Sequence, residues 1–216
     1  MVADVIPLAK ALKGIVLENS YKKEREKAPI DKKTGLHKKT REMTDDEDLK
    51  RINPAVENFN GNTKSNCALC TVAYDIRKRG YDVQAGRAST GYSLNELCKW
   101  YPGSTIRTVN YTDIAHSSSP YKRNKTDAKL FERNLSNFIL KESGEGSRGD
   151  LSIRWLGTHA GHSIVYQVKN GKVEYLDGQS NRRYDTTFFE RIEGGVAITR
   201  LDNVEPDWKK IKELMD

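Results

Sequence analysis

The chain has 216 residues, with 37 Lys and Arg against 30 Asp and Glu, a formal net charge of +7 and 31% charged side chains. That length holds one ordinary domain with extra segments or two small ones, and a mean hydropathy of −0.75 is too polar for every segment to pack, so a compact core and a solvated remainder are expected. No apolar run is long enough to cross a bilayer, the first residues lack the basic and apolar regions of a signal peptide, and three cysteines do not make a disulfide framework.

Residues 1–50 differ from the rest. Leu8, Leu12, Ile15 and Val16 recur at helical spacing. Charge then dominates from Glu18 to Lys39, with basic and acidic residues interleaved, as in Lys22-Lys23-Glu24-Arg25-Glu26-Lys27. Interleaving marks a solvated helical face rather than a stripe that tracks phosphates, so nucleic acid is not an expected partner. Asp31 to Gly35 is a turn signal. Thr44 and Glu47 form a capping box at an acidic helix start. This stretch reads as a charged leader or linker, partly helical or disordered.

The globular part, residues 51–216, begins near Ile52-Asn53-Pro54. Its first helix starts at Cys67, with Ser65 or Asn66 as the cap residue. Leu69, Val72, Ala73 and Ile76 make the buried face, and Gly80 ends the helix in the left-handed conformation. Tyr81 to Ala85 reads as a short strand. Ser93 and Glu96 cap a helix through Trp100, stopped by Pro102-Gly103. Asp127 to Glu142 carries Leu130, Phe131, Leu135, Phe138 and Ile139 at helical spacing, and Gly144 to Gly149 reads as a flexible loop. The period then changes to two. Leu151–Trp155, Ser163–Val168, Lys172–Leu176 and Gly195–Arg200 are strands, and Asn170-Gly171 marks a hairpin between the second and third. Pro206 introduces a C-terminal helix. Helices first and an antiparallel sheet afterwards give an α+β fold.

The chemistry centres on Cys67. A cysteine nucleophile acts as the thiolate, which a helix N-terminus favours. It needs a base, and the base needs an orienting group. In a hairpin turning at Asn170-Gly171, paired residue numbers sum to about 341, which sets His162 diagonally from Asp177, within side-chain reach. The carboxylate accepts from one ring nitrogen and leaves the other for Cys67. His159 competes as base; His37 and His116 sit in polar surroundings. The backbone N–H of Cys67 is a natural oxyanion donor. Asn60, Asn62 and Asn66 offer a side-chain donor, with Asn62 favoured, and Trp155 and Gln179 are candidates to line the site. Cys67 and Cys70 form a C-x-x-C, but no strand pattern precedes it as in a redox motif. Cys98 and His116 supply no second paired knuckle for zinc. No metal or organic cofactor is expected.

The block Asn66-Cys67-x-x-Cys70-x-x-Ala73-Tyr74-x-x-Arg77-x-Arg79-Gly80-Tyr81-Asp82-Val83-x-Ala85, followed by Gly161-His162-Ser163 and Asp177-Gly178-Gln179, resembles the papain-fold toxin domain. That domain is assigned as a probable protein-glutamine deamidase in bacterial polymorphic toxins and phage head-morphogenesis proteins. The resemblance covers roughly residues 50 to 200, and the segment ending in Asp48-Leu49-Lys50-Arg51-Ile52-Asn53-Pro54 is similar to the one before this domain in phage minor head proteins. It implies a papain-like fold with Cys67 as nucleophile, His162 as base and Asp177 as orienting acid. Asn62, Asn66 and Gln179 are the oxyanion and substrate-binding candidates. The implied substrate is a target protein, with a cognate immunity protein or a phage head protein as partner. The implied location is the bacterial cytoplasm, followed by a virion or a target cell. A papain-like protease or a transglutaminase would use the same residues. A non-catalytic head or DNA-interaction module is the alternative of another class, motivated by the +7 charge.

Overall fold

The structure, a computed structural model, describes residues 5–54, 65–88, 90–112 and 125–216, and only the backbone for 5–11. In chain order it contains α1 (Val5–Arg25), α2 (Asp45–Ile52), α3 (Cys67–Lys78), α4 (Leu94–Trp100), β1 (Ile106–Asn110) and α5 (Lys125–Ser143). Next come β2 (Arg148–Trp155), β3 (Gly161–Lys169), β4 (Lys172–Asp177), β5 (Arg182–Tyr184), α6 (Thr186–Phe189), β6 (Ile192–Arg200) and α7 (Trp208–Leu214). The fold is α+β, as the change of period at residue 150 requires. Two compact units divide the chain. One holds residues up to Ser93 with Gly178–Asn181 and Pro206–Asp216; the other holds Leu94–Asp177 and Arg182–Glu205.

In the first unit α3 is buried on every side from Ala68 to Arg77, not on the single face its apolar spacing marks. A polar network makes this tolerable. The fully buried Arg77 donates through Nε to Asp48 at 2.9 Å, through Nη1 to Asp82 and to the Val83 carbonyl, and through Nη2 to the Met43 sulfur. Lys39 closes on Asp48 at 2.6 Å, and Lys78 on Asp45 at 2.5 Å. Arg51 joins Glu24 at 2.6 Å and lies over the Tyr21 ring. Buried charges are tolerated only when paired and hydrogen-bonded, so α2 is fastened to α3 by charge, and α1 and the strand-like segment around Lys39 are fastened to α2. The α2 capping box is present, with Thr44 accepting from Glu47 and Glu47 from the Thr44 backbone. Asp31 accepts from the backbone of Lys33 and Thr34 in the expected turn.

The helix expected from the spacing of Leu8, Leu12, Ile15 and Val16 forms, and Leu12, Ile15 and Val16 are 55%, 40% and 66% accessible. The helix is held by its polar side through Glu18, Tyr21 and Glu24. Tyr81 to Ala85 is not a strand; only single bridges form, Tyr81 with Lys38 and Ala85 with Met215, because Asp82 and Val83 serve Arg77.

The second unit is an antiparallel sheet of six strands in the order β1-β6-β2-β3-β4-β5. On one face α5 lays Ala128, Phe131, Leu135 and Ile139, spaced three and four apart, against Leu151, Ile153, Ile164, Tyr166 and Ile198. The β3–β4 register pairs Val165 with Leu176 and Lys169 with Lys172, a constant sum of 341. Asn170 and Gly171 both adopt positive φ, 53° and 69°, as a two-residue hairpin turn demands. Their backbone N–H groups donate to the two oxygens of Glu145 at 2.7 and 2.9 Å. Gly144 to Gly149 is therefore not a flexible loop. Glu145 clips the hairpin tip, and Arg148 and Gly149 already belong to β2. The short elements β1, β5 and α6 carry too few residues for a legible period.

Candidate functional site

Within the first unit Cys67 is the first residue of α3 and is half-buried, whereas Cys70 is 1% exposed. Asn66 precedes it with φ −99° and ψ 21°, and its side chain makes no capping bond. The expected cap is replaced by a buried amide cluster. Asn66 Nδ2 donates to the Gly86 carbonyl at 3.1 Å and lies 3.5 Å from Asn53 Oδ1. Asn66 Oδ1 accepts from Gln179 Nε2 at 3.2 Å and from the Cys70 thiol at 3.5 Å. Asn53 in turn donates to the Gln179 carbonyl at 2.9 Å. Three carboxamides thus fix the backbone immediately before Cys67. Asn66 and Gln179, expected at the oxyanion and substrate positions, are engaged with each other. Asn62, Asn60 and His116 lie outside the described residues.

Within the second unit His162 is the second residue of β3, and its side chain is 9% exposed. Nε2 meets Asp177 Oδ2 at 3.0 Å, and Tyr184 donates its hydroxyl to the same oxygen at 2.7 Å. Asp177 is 1% exposed. Trp155 stacks on the imidazole, centroids 5.6 Å apart and planes 23° apart, and Arg191 lies over the indole at 4.8 Å. Phe188 meets Trp155 edge-on at 5.5 Å and stacks on Tyr184 at 4.2 Å. The chain of contacts His162–Trp155–Phe188–Tyr184–Asp177–His162 is closed, so the imidazole is fixed both by a hydrogen bond and by aromatic packing. His159 stands exposed in the turn before β3 with no carboxylate partner among the described residues, and His37 Nδ1 is 2.9 Å from the Ala28 carbonyl.

Beside this pair the same strands bury a second carboxylate. Asp150 of β2 is completely buried; Ser152 donates to it at 2.6 Å, and Ser163, the neighbour of His162, donates to its other oxygen. Burial pushes its pKa up to about 6, against the pull of the two hydroxyls and of His162.

No family model matches the chain, and no curated protein does.

One unit thus holds a histidine in contact with a buried carboxylate, and the other a half-buried thiol at the first residue of a helix. Among the described residues no group of three His, Cys, Asp or Glu side chains gathers as a metal site, and no helix is long and apolar enough to cross a membrane. Sequence reasoning does not find Tyr184, Asp150 or Asn53. Tyr184 sits on a three-residue strand and has no motif. Asp150 is legible only as a carboxylate spaced two residues from a serine. Asn53 has the look of a boundary residue because Pro54 follows it.

Proposed function

We propose that this protein is a cysteine-nucleophile amide hydrolase of papain-like fold, acting on side-chain carboxamides of a target protein as a toxin-type glutamine deamidase. The observation that carries the reading is the His162–Asp177 pair, closed in by Tyr184 and Trp155, in a chain whose half-accessible helix-start thiol is Cys67. Asp177 holds Nε2, so the proton-exchanging position is Nδ1. The Cys67 thiolate adds to the carboxamide carbon. The backbone N–H at the start of α3 stabilises the resulting oxyanion. The C–N bond breaks as the imidazolium passes its proton to the departing nitrogen, and ammonia leaves. Water, deprotonated by His162, then cleaves the thioester to give glutamate and the free thiol. Asn53, Asn66 and Gln179 position the nucleophile, and Tyr184 positions the acid.

Delivery by a toxin or a phage particle, and a cognate immunity or head protein as partner, belong to the same reading and rest on the resemblance of the Cys67 block. Peptide cleavage and acyl transfer to an amine would employ the same groups. The intact mass of candidate target proteins after incubation separates the three: a gain of about 1 Da marks deamidation, fragments mark proteolysis, and an added amine marks transamidation. Target proteins unchanged in mass by wild-type protein, or changed equally by Cys67→Ala, contradict the reading.

A further inference from the structure

The first unit holds a cavity of about 620 Å³ between the C-terminal half of α1 and the segment after Val83, lined by Ile15, Lys22, Arg25, Gln84 and Arg87, with Glu18, Asn19 and Asp216 completing the wall. Two of its donors lack protein partners among the described residues: the Gln84 amide nitrogen, which is fully buried, and the Arg25 guanidinium, which lines the cavity. Arg25 is 8% exposed, and its guanidinium makes neither an ion pair nor a hydrogen bond among the described residues. Gln84 is 4% exposed, and its Nε2 has no partner among them. Buried polar groups are almost always satisfied, so the orphaned Gln84 amide beside an unpaired guanidinium facing a cavity points to a missing acceptor. The contrast within the same unit is sharp, since Arg77 and Arg51 each meet carboxylates directly. Burial lowers the Arg25 pKa, while Asp82 and Asp216 act on it only through space. Exposed Lys22 and half-exposed Arg87 add positive charge at the rim, the latter 3.4 Å from Glu18.

We infer that this cavity binds a small oxyanion, a phosphate or carboxylate group, held by the fork of Arg25 and the amide of Gln84 with Lys22 at the mouth. A guanidinium fork matches the paired oxygens of either group, and a cavity of this size suits a small ligand. The site uses none of the residues assigned to amide hydrolysis, so it stands or falls apart from that reaction.

Isothermal titration of the full chain with inorganic phosphate and, separately, succinate, at ionic strength matched with chloride, tests it. Saturable binding of phosphate assigns a tetrahedral oxyanion, and binding of succinate a carboxylate; either supports the site. Gln84→Met keeps the shape and removes the unpaired donor. It lowers the anion affinity about tenfold, the loss of one charge-assisted hydrogen bond, and leaves the melting temperature of the anion-free protein unchanged or raised. Arg25→Gln lowers the affinity further where it folds. Neither anion binding above the chloride control overturns the inference. So does a Gln84→Met variant that binds as tightly as wild type, or one that melts lower without anion, since the amide then has a merely structural task.

Discussion

Replacing Asp150 by Asn converts a buried charge into a measurable pH signature. The carboxyl lies wholly buried between β2 and β3, and its pKa is raised from 3.8 to about 6, chiefly by burial. Because the folded value exceeds the unfolded one, the native state holds the proton more tightly. Asp150 therefore contributes most to stability below about pH 4, and that contribution is lost as the pH rises through about 6. The size of the loss between about pH 4 and pH 7 is about 2–3 kcal/mol. The substituted carboxamide carries no charge at any pH. It offers one acceptor oxygen to two serine hydroxyls, which costs about 1–2 kcal/mol throughout. Urea unfolding followed by circular dichroism, on wild type and Asp150→Asn in parallel, gives the difference directly and cancels the other carboxylates. The variant is expected to be the weaker protein near pH 4 and to gain about 2–3 kcal/mol relative to wild type by pH 7. A difference that stays constant with pH, or that moves against the variant as pH rises, would mean that folding does not raise the proton affinity of Asp150.

Tyr184→Phe removes the 2.7 Å hydroxyl contact to Asp177 while keeping the stack on Phe188; stability falls by about 1.5–3 kcal/mol, and kcat falls more than KM rises in an ammonia-release assay. Arg77→Met leaves Asp48 and Asp82 buried without their shared cation, and urea unfolding should show a loss of about 3–5 kcal/mol; a loss under about 1 kcal/mol would mean the network is dispensable. Gly178→Ala puts a methyl 3.2 Å from both Cys70 Cβ and Ile52 Cγ2, so a drop of about 1–3 kcal/mol in thermal or urea unfolding is expected, with no change if that wall is soft.

Legibility in the sequence depends on whether a feature is local. The Asn170-Gly171 turn fixes its own register, so counting outward from it sets His162 against Asp177, and the 3.0 Å contact follows. The Thr44–Glu47 capping box and the left-handed Gly80 are likewise written in adjacent residues. Expectations fail where distant residues decide. The charge-rich stretch before residue 50 reads as solvated because the partners of its Asp48, Arg77 and Lys78, lie well further along the chain. Tyr81 to Ala85 has strand composition, but its polar groups are committed to Arg77. Asn66 has a cap residue's chemistry, yet Asn53 and Gln179, 13 and 113 positions away, take its amide.

The proposed hydrolysis requires the His162 imidazole to assist the Cys67 sulfur. Iodoacetamide labelling at neutral pH, followed by peptide mass analysis, compares Cys67 with Cys98, also half-buried, as an internal reference. Cys67 is expected to be alkylated at least tenfold faster than Cys98, as an assisted thiolate is ~10-fold or more above a plain thiol, and His162→Ala to erase the advantage. Equal rates at the two cysteines in wild type, or a Cys67 rate untouched by His162→Ala, would contradict that assistance.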